Sequence, residues 1–555
     1  MTPPRSIDAI PMKTRFLAIL LLLATLAHAE GPSVSIVTGP SPAPLEELAA
    51  KELEKTLVAL FDAKVTLTKT PTDAPNRILL GNPATNPAVR SAIGEAWPAD
   101  LGEQGHLVKS TGQGLVLGGG SPVATLWAVA EYGHRNGIRV VPNGEYLPLV
   151  KPAFTLAGFD AVLRPREQVR AWRTLGTTPD SQASWGHDDL AGLFRRLALM
   201  KFNRVVFPMQ PSQVFAGAVA EGSGIWSGAP PDVTGDLAGR SVFKGAKVFD
   251  HPALAGAATP EARRDAAVEF VRKTIASAGA SGLDTVIELE SDREDDFESV
   301  ADLYPGAGSV GGMSDEPYLD AGWQGGGFLP YPEILGAEEG GQPGFQLHTR
   351  FVADQAASVW ELARAAAGGP VDPDKALAEL LFPVCGEGVA EPFGNGVNAL
   401  VEAGRLIFDE ERDFASPIGA GTGAGEAGFI RFYHSSDPVP EWWGKAKALY
   451  TKAMGEFYRA NTRARDGARP LILRYAKRAT FALHYVTAAE AARKAGIAKA
   501  AGDDDARLEN LELAVEAMHN ALAIYAEVAT EPGDAGAIAR LNAEAYTPLL
   551  EALEE

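Results

Sequence analysis

Two stretches of the chain are written to one plan. Residues 188–210, DDLAGLFRRLALMKFNRVVFPMQ, give an amphipathic helix, a short turn and then an apolar run too short for a second helix. Residues 259–291, TPEARRDAAVEFVRKTIASAGASGLDTVIELES, repeat it: Thr259-Pro260 opens a helix and Leu283–Leu289 reads as a buried strand. Before both, QVRAWRTLG (Gln168–Gly176) reads as an apolar and basic strand running into a loop. Helix, turn, strand and polar loop in succession is the grammar of a (β/α) barrel, so the middle of the chain is expected to be barrel-like. That grammar runs only from about Gln168 to Gly344, under 180 residues, with three strands and a trace of a fourth. A complete barrel takes about 250 residues. Either the barrel is abbreviated, or strands are hidden among the glycines, or the chain has lost an internal piece.

The flanks read differently. SVSIVT (Ser33–Thr38), KVTLTK (Lys64–Lys69) and NRILLG (Asn76–Gly81) are strands around the amphipathic helix Ala43–Phe61. GHLVKSTGQGLVLGGG has the form of a hairpin turning at Gly112-Gln113-Gly114, and Ser121-Pro122 starts a helix that leads to a strand at Ile138–Val141. Gly118-Gly119-Gly120-Ser121 has neither a following Lys-Ser/Thr nor spaced dinucleotide glycines, so it is read as a tight turn into that helix. Beyond Phe345 the text is helical, with helices expected over Gln346–Ala367, Lys375–Leu381, Glu441–Thr462, Pro470–Lys494 and Arg507–Val528. The fold class is therefore α/β. An N-terminal α+β domain spans residues 30–155, a barrel-like middle domain 160–344 and an all-helical C-terminal domain 345–555.

A formal charge of -21 spread through the chain repels phosphate backbones and anionic bilayers, which excludes nucleic acid and membrane surfaces as expected partners. Lys13 and Arg15 precede the apolar run Phe16–Leu26, which ends in Ala27-His28-Ala29. That is the layout of a secretory signal peptide over residues 1–29, placing the rest of the chain in the periplasm or outside the cell. Cys385 is the single cysteine and is expected to be a small buried residue. No H-x-x-x-H motif or cysteine pair suggests a metal, no other cofactor is expected, and G-x-S-x-G is absent.

The order of parts resembles secreted glycoside hydrolases, in which a small α+β domain precedes a catalytic barrel, as in bacterial β-N-acetylhexosaminidases and α-glucuronidases. APLEELAAKELEKTL, NRILLGNP and GLVLGGGSPVATLWAVAEYGHRNGIRVVPNG look like the helix, strand and closing helix–strand unit of that first domain, over about Ser33–Phe154. The helical last third is similar in style to the region behind α-glucuronidase barrels. The resemblance implies an exported glycoside hydrolase-like protein acting on a polysaccharide or oligosaccharide, a hexosaminide or uronide, by carboxylate acid–base chemistry. The alternatives are a non-catalytic carbohydrate-binding or scaffold protein on a degenerate barrel, and an exported helical interaction protein.

Glycosidic hydrolysis takes a protonated acid beside the leaving oxygen and a second group that attacks or stabilises the sugar carbon. Glu288 and Glu290 in VIELESD end a strand and stand two apart, hence on one side of it; the alternative is a solvated acidic face like the SDREDD that follows. Asp315-Glu316 in GGMSDEPYLDAGW resembles the hexosaminidase Asp-Glu pair, which implies Glu316 as general acid and Asp315 as the residue orienting an acetamido group. Met313, Ser314 and Pro317 depart from that pattern, and the alternative is a loop of solvated acids. Trp172, Trp185, Trp226 and Trp323 lie in or beside loops of the barrel-like segment, where flat aromatic faces suit sugars. Arg173 offers paired hydrogen bonds to hydroxyls or a uronate. For Trp172 and Arg173 the alternative is a core ring beside a surface cation. Asp188, after His187, is read as a helix cap, and His251 and His348 stand alone. Of Trp442 and Trp443, on different sides of one helix, at least one is expected to pack inward.

Overall fold

The computed structural model describes residues 31–174, 178–209, 230–289, 291, 293–312, 319–322, 344–349, 351–369, 372–411, 414, 428–465 and 467–555. The signal-peptide segment, Trp226, Glu290, Asp315, Glu316 and Trp323 lie outside these residues.

The first unit runs β1 (Ser33–Val37), α1 (Pro44–Phe61), β2 (Lys64–Thr68), β3 (Arg77–Leu80), α2 (Pro87–Ile93), β4 (His106–Thr111), β5 (Gly114–Gly119) and α3 (Pro122–Arg135). A small hairpin, β6 (Arg139–Val141) with β7 (Gly144–Tyr146), and β8 (Asp160–Leu163) follow. The sheet order is β2-β1-β3-β5-β4-β8, parallel except that β4 runs against both its neighbours. β8 lies beyond residue 155, so the first sheet reaches into the segment assigned to the middle of the chain. Ser121 Oγ accepts the Ala124 N–H at 3.3 Å and so caps α3. The preceding glycines serve close packing: a Cβ on Gly119 would lie 2.3 Å from the carbonyl carbon of Ala124.

The second sheet is built from β9 (Val169–Arg173), α4 (His187–Leu199), β10 (Arg204–Met209), α5 (Pro260–Ala280), β11 (Asp284–Leu289), α6 (Glu294–Leu303), β12 (Ser309–Gly312), β13 (Leu319–Gly322) and β14 (Gly344–His348). All six strands are parallel, in the order β12-β11-β10-β9-β14-β13. That is more strands than the sequence suggested. The last strand returns to pair with the first, Gln346 standing opposite Ala171. β14 corrects the expectation of a helix from Gln346. GFQLH alternates, burying Phe345 and Leu347 with the helices, and the helix itself starts only at α7 (Ala356–Ala366). Strand alternation gives the sheet two faces. One carries Trp172, Phe207, Ile287 and Leu347 into the main core, where Phe194 of α4 meets Phe207 edge to face with ring centroids 6.2 Å apart. The other holds a small cluster of Ala171, Val206 and Val286. Asp188 is not the cap of α4; Asp189 accepts the Gly186 N–H at 3.1 Å instead.

The remaining helices are α8 (Pro373–Cys385), α9 (Ala390–Glu411), α10 (Glu441–Arg463), α11 (Arg469–Ala501), α12 (Asp504–Ala526), α13 (Pro532–Leu541) and α14 (Thr547–Glu554). Of these, α9, α13 and α14 were not foreseen. α11 buries a run of alanines, among them Ala479, Ala482 and Ala489, which lets α10 and α12 approach closely. Trp442 and Trp443 are both buried, their rings 4.9 and 5.0 Å from that of Phe414. Cys385 is buried, and burial pushes its thiol up to about 12. Among the described residues no helix is long and apolar enough to cross a membrane, and no group of three or more His, Cys, Asp or Glu could hold a metal ion.

Candidate functional site

The C-terminal ends of β9, β11 and β14 bring a few polar side chains to one face of the second sheet. Arg173 closes β9 and shares its face with Ala171; Glu288, near the end of β11, shares its face with Val286. Register links Arg173 to Val206 and Val206 to Val286, so both side chains stand on the same side. Arg173 Nε–H reaches across β10 to donate to Glu288 Oε2 at 2.8 Å, with the side chains 14% and 5% exposed. The strand between them offers Val206 and Pro208 on that face, so the ion pair spans an apolar floor. A charge-assisted bond over such a floor is strong and directional.

β14 adds Gln346, not singled out from the sequence, and His348, read there as standing alone. Gln346 lies beside Ala171 in register, and His348, two residues on, lies beside Arg173 on the same face. Both are buried, and Gln346 Oε1 has no hydrogen-bond partner. The signal was the period-two alternation of GFQLH, obscured because this segment was read as the start of a helix.

The two tryptophans proposed as sugar platforms are elsewhere. Trp172 points to the opposite face and is 0% exposed. Its Nε1–H donates to Gln182 Oε1 at 3.1 Å, and its ring meets Phe202 edge-on. Gln182 in turn donates from Nε2 to the Thr349 carbonyl, so Trp172 belongs to a tie between the segments that follow β9 and β14. Trp185 is 2% exposed and lies under α13, with its Nε1 3.2 Å from where a Cβ on Gly533 would stand. Neither ring offers a flat face to a ligand, because each was recruited to the core. His251 accepts the Ala253 N–H through Nδ1 at 3.0 Å; burial against Phe270 pushes it down to about 4.

The segments around the ion pair are held from outside by the C-terminal helices. Arg540 donates to Asp180 Oδ1 at 2.9 Å, and Asn542 makes two 3.0 Å bonds to the backbone of Ala238. Asp354 sits between Arg474 and Arg478, 2.8 Å from each, and Arg474 also pairs with Asp534 at 2.7 Å. Ala353 N–H donates to Glu531 Oε2 at 3.3 Å; burial, and then the neighbouring Asp534, push the Glu531 carboxyl up to about 8. The approach is close: a Cβ on Gly536 would stand 1.7 Å from the Pro179 carbonyl oxygen. Chemically the face offers a carboxylate, a guanidinium, a carboxamide and an imidazole. Such a set can grip hydroxyl groups and stabilise positive charge developing on a carbon.

No family model matches the sequence, and no curated protein matches it. Solved structures do. A family 115 4-O-methyl-α-glucuronidase with specificity for decorated arabinogalactans superposes with a TM-score of 0.52 at 11% identity, over 89% of this chain and 78% of that one. A family 138 enzyme targeting the pectin rhamnogalacturonan II aligns at a TM-score of 0.48 and 10% identity, over 94% and 99%. A family 89 glycoside hydrolase from Clostridium perfringens gives 0.39 and 12%, over 78% and 64%. The structural neighbours are glycoside hydrolases, and the likeness to the glucuronidase shows a shared fold.

Proposed function

We propose that this chain is an exported glycoside hydrolase-like protein that takes a sugar of an oligosaccharide or polysaccharide at the C-terminal ends of β9, β11 and β14. The observation that carries the reading is the Arg173–Glu288 pair, buried at the strand ends of a parallel sheet where (β/α) folds keep their chemistry. In this reading Glu288 stabilises or attacks the anomeric carbon while Arg173 orients it, and the proton donor is sought in Glu290 or in Asp315-Glu316. A uronide is the favoured substrate because the neighbour of like fold is a glucuronidase; a hexosaminide is the alternative. Export rests on the basic, apolar and Ala-His-Ala sequence of residues 13–29.

The barrel form of the second sheet is part of the proposal and rests on chain length. Six residues separate Gly312 from Leu319, and seven peptide steps reach at most about 25 Å. In a flat sheet of this order the same ends would be about 24 Å apart sideways and about 20 Å along the strands, roughly 31 Å in all. This shortfall supports a sheet that curls and brings β12 towards β13. The boundary between the first and second units is proposed just after β8.

The non-catalytic reading has one observation of its own: Glu288 Oε2 is already taken by Arg173 Nε–H, as in a structural ion pair. Turnover of aryl α-glucuronides and aryl N-acetylhexosaminides by the full chain separates the two. We expect turnover that falls about 10²–10⁴-fold in Glu288→Gln. Binding without turnover would favour the carbohydrate-binding protein, and neither turnover nor binding would end both readings.

A further inference from the structure

We propose that Gln346 is the specificity-determining residue of this site, its carboxamide reading one hydroxyl or N–H of the bound sugar. The inference rests on the reading above, because it names what the proposed site recognises. Three observations carry it. Gln346 lies on the same face as Arg173 and Glu288, in register with Ala171. Its side chain is only 5% exposed, and Oε1 is buried with no hydrogen-bond partner. In register it stands between Ala171 of β9, whose methyl offers no donor, and Asp320 of β13.

A buried carboxamide oxygen without a partner is unfavourable unless something else supplies the donor. Gln355, beyond β14, also leaves Oε1 without a partner, but two other buried carboxamides are used up: Gln182 bridges Trp172 and Thr349, and Asn542 bridges the backbone of Ala238. Those amides join one part of the chain to another. Gln346 keeps its acceptor open on the face that carries the ion pair. Turned about its last torsion, the same group offers a donor pair instead, so it suits a hydroxyl in either role. His348, next on the same face and beside Arg173, extends this polar wall towards the strand end. The pattern fits an uncharged, hydroxyl-bearing edge of a sugar, while Arg173 and Glu288 take the more polar side.

The test is calorimetric titration of the full chain with methyl α-D-glucuronide, methyl N-acetyl-α-D-glucosaminide and their monodeoxy analogues. It compares the wild type with Gln346→Met, which keeps length and removes the acceptor, and follows the melting temperature of both. We expect Gln346→Met to fold normally and to bind the preferred sugar about 10–100-fold more weakly. We also expect the wild type to reject one deoxy analogue that Gln346→Met no longer distinguishes from its parent, a result that a purely structural role would not produce. Equal affinity and unchanged deoxy discrimination in Gln346→Met would overturn this assignment and leave the proposed function standing. If the wild type binds none of these sugars, both fall. If Gln346→Met fails to fold, Gln346→Asn, which keeps the amide but withdraws it, must show the weakened binding with the selectivity retained; full affinity in that variant overturns the proposal.

Discussion

The parallel sheet carries buried charge at both ends, and the two ends treat it differently. At the N-terminal ends, Glu131 of α3 is 0% exposed, accepts from Lys201 Nζ at 2.7 Å and from Arg364 Nη1 at 2.8 Å, and is ion-paired with Arg135 Nε at 3.0 Å. Burial works to raise Glu131, but the charges of Lys201 and Arg364 outweigh it and hold it well below the carboxylate range. Arg364 also donates to Glu379 at 3.1 Å, and His134 bonds the same carboxylate. One cluster thus ties the first unit (α3), the entry to β10 (Lys201) and the helical region (α7 and α8). A small cavity of about 50 Å³ lies against it, lined in part by His134, Lys201 and Trp360. At the C-terminal ends, one hydrogen bond joins Arg173 to Glu288, and Gln346 keeps an open acceptor. Glu131 meets three cations where it joins parts of the chain, whereas Glu288 meets one where a ligand is proposed. The contrast teaches that burial alone does not mark a site: His106 Nε2 and Arg170 Nη2, near the Glu131 cluster, are also buried without partners, and what distinguishes Gln346 is an open acceptor on the face of the Arg173–Glu288 pair.

Substitutions can break that contrast. The largest effect is expected at the joint: Glu131→Gln leaves Lys201 and Arg364 facing each other with half their counter-charge removed. It should lower stability by about 3–5 kcal/mol in denaturant titrations. A loss under 1 kcal/mol would mean that this cluster, too, has slack.

Acid should loosen the same joint next. Burial, against the bond to Glu379, holds His134 down to about 4 from an ordinary value near 6.5. The native state therefore binds fewer protons than the unfolded chain, and the stability concerned is complete above pH 6.5 and lost as pH falls towards 4. The loss amounts to about 3 kcal/mol. Burial raises Glu379, but the bond from His134 and the charge of Arg364 outweigh it, to about 2, so its share is lost only below pH 4.5. Unfolding midpoints measured from pH 7 to 4 should fall in the wild type and fall less in His134→Gln. Parallel slopes in the two would show that the acid sensitivity lies elsewhere.

The smallest stability change is expected at the other end. Glu288→Gln keeps an oxygen for Arg173 Nε–H and should cost about 1 kcal/mol or less, while carrying the loss of turnover described above. A cost as large as that of Glu131→Gln would make the Arg173–Glu288 pair a second structural joint.

Much of the local structure was legible in the sequence. Helical spacing and Ser-Pro and Thr-Pro starts located α3 and α5, and apolar runs located β10 and β11, because those signals depend on neighbours a few residues away. Glu288 was legible as a strand-end carboxylate for the same reason. Its partner was not, since Arg173 stands 115 residues earlier and meets it only across β10. Trp172 and Trp185 looked like sugar platforms until packing put Trp172 on the helix-facing side and α13 over Trp185. Gln346 and His348 were read as helix or as isolated, and only pairing of β14 with β9 made them neighbours of the ion pair.

By itself, then, the sequence determined the α/β class, most of the helices and strands, and the presence of an acid at the end of β11. Tertiary structure alone decided the return of β14 to β9, how many cations each buried carboxylate meets, and which polar groups were left open. The reason is physical: helical and strand periods are written in local spacing, whereas strand order and the pairing of buried charges are settled by contacts between distant segments that compete for the same space and the same hydrogen bonds.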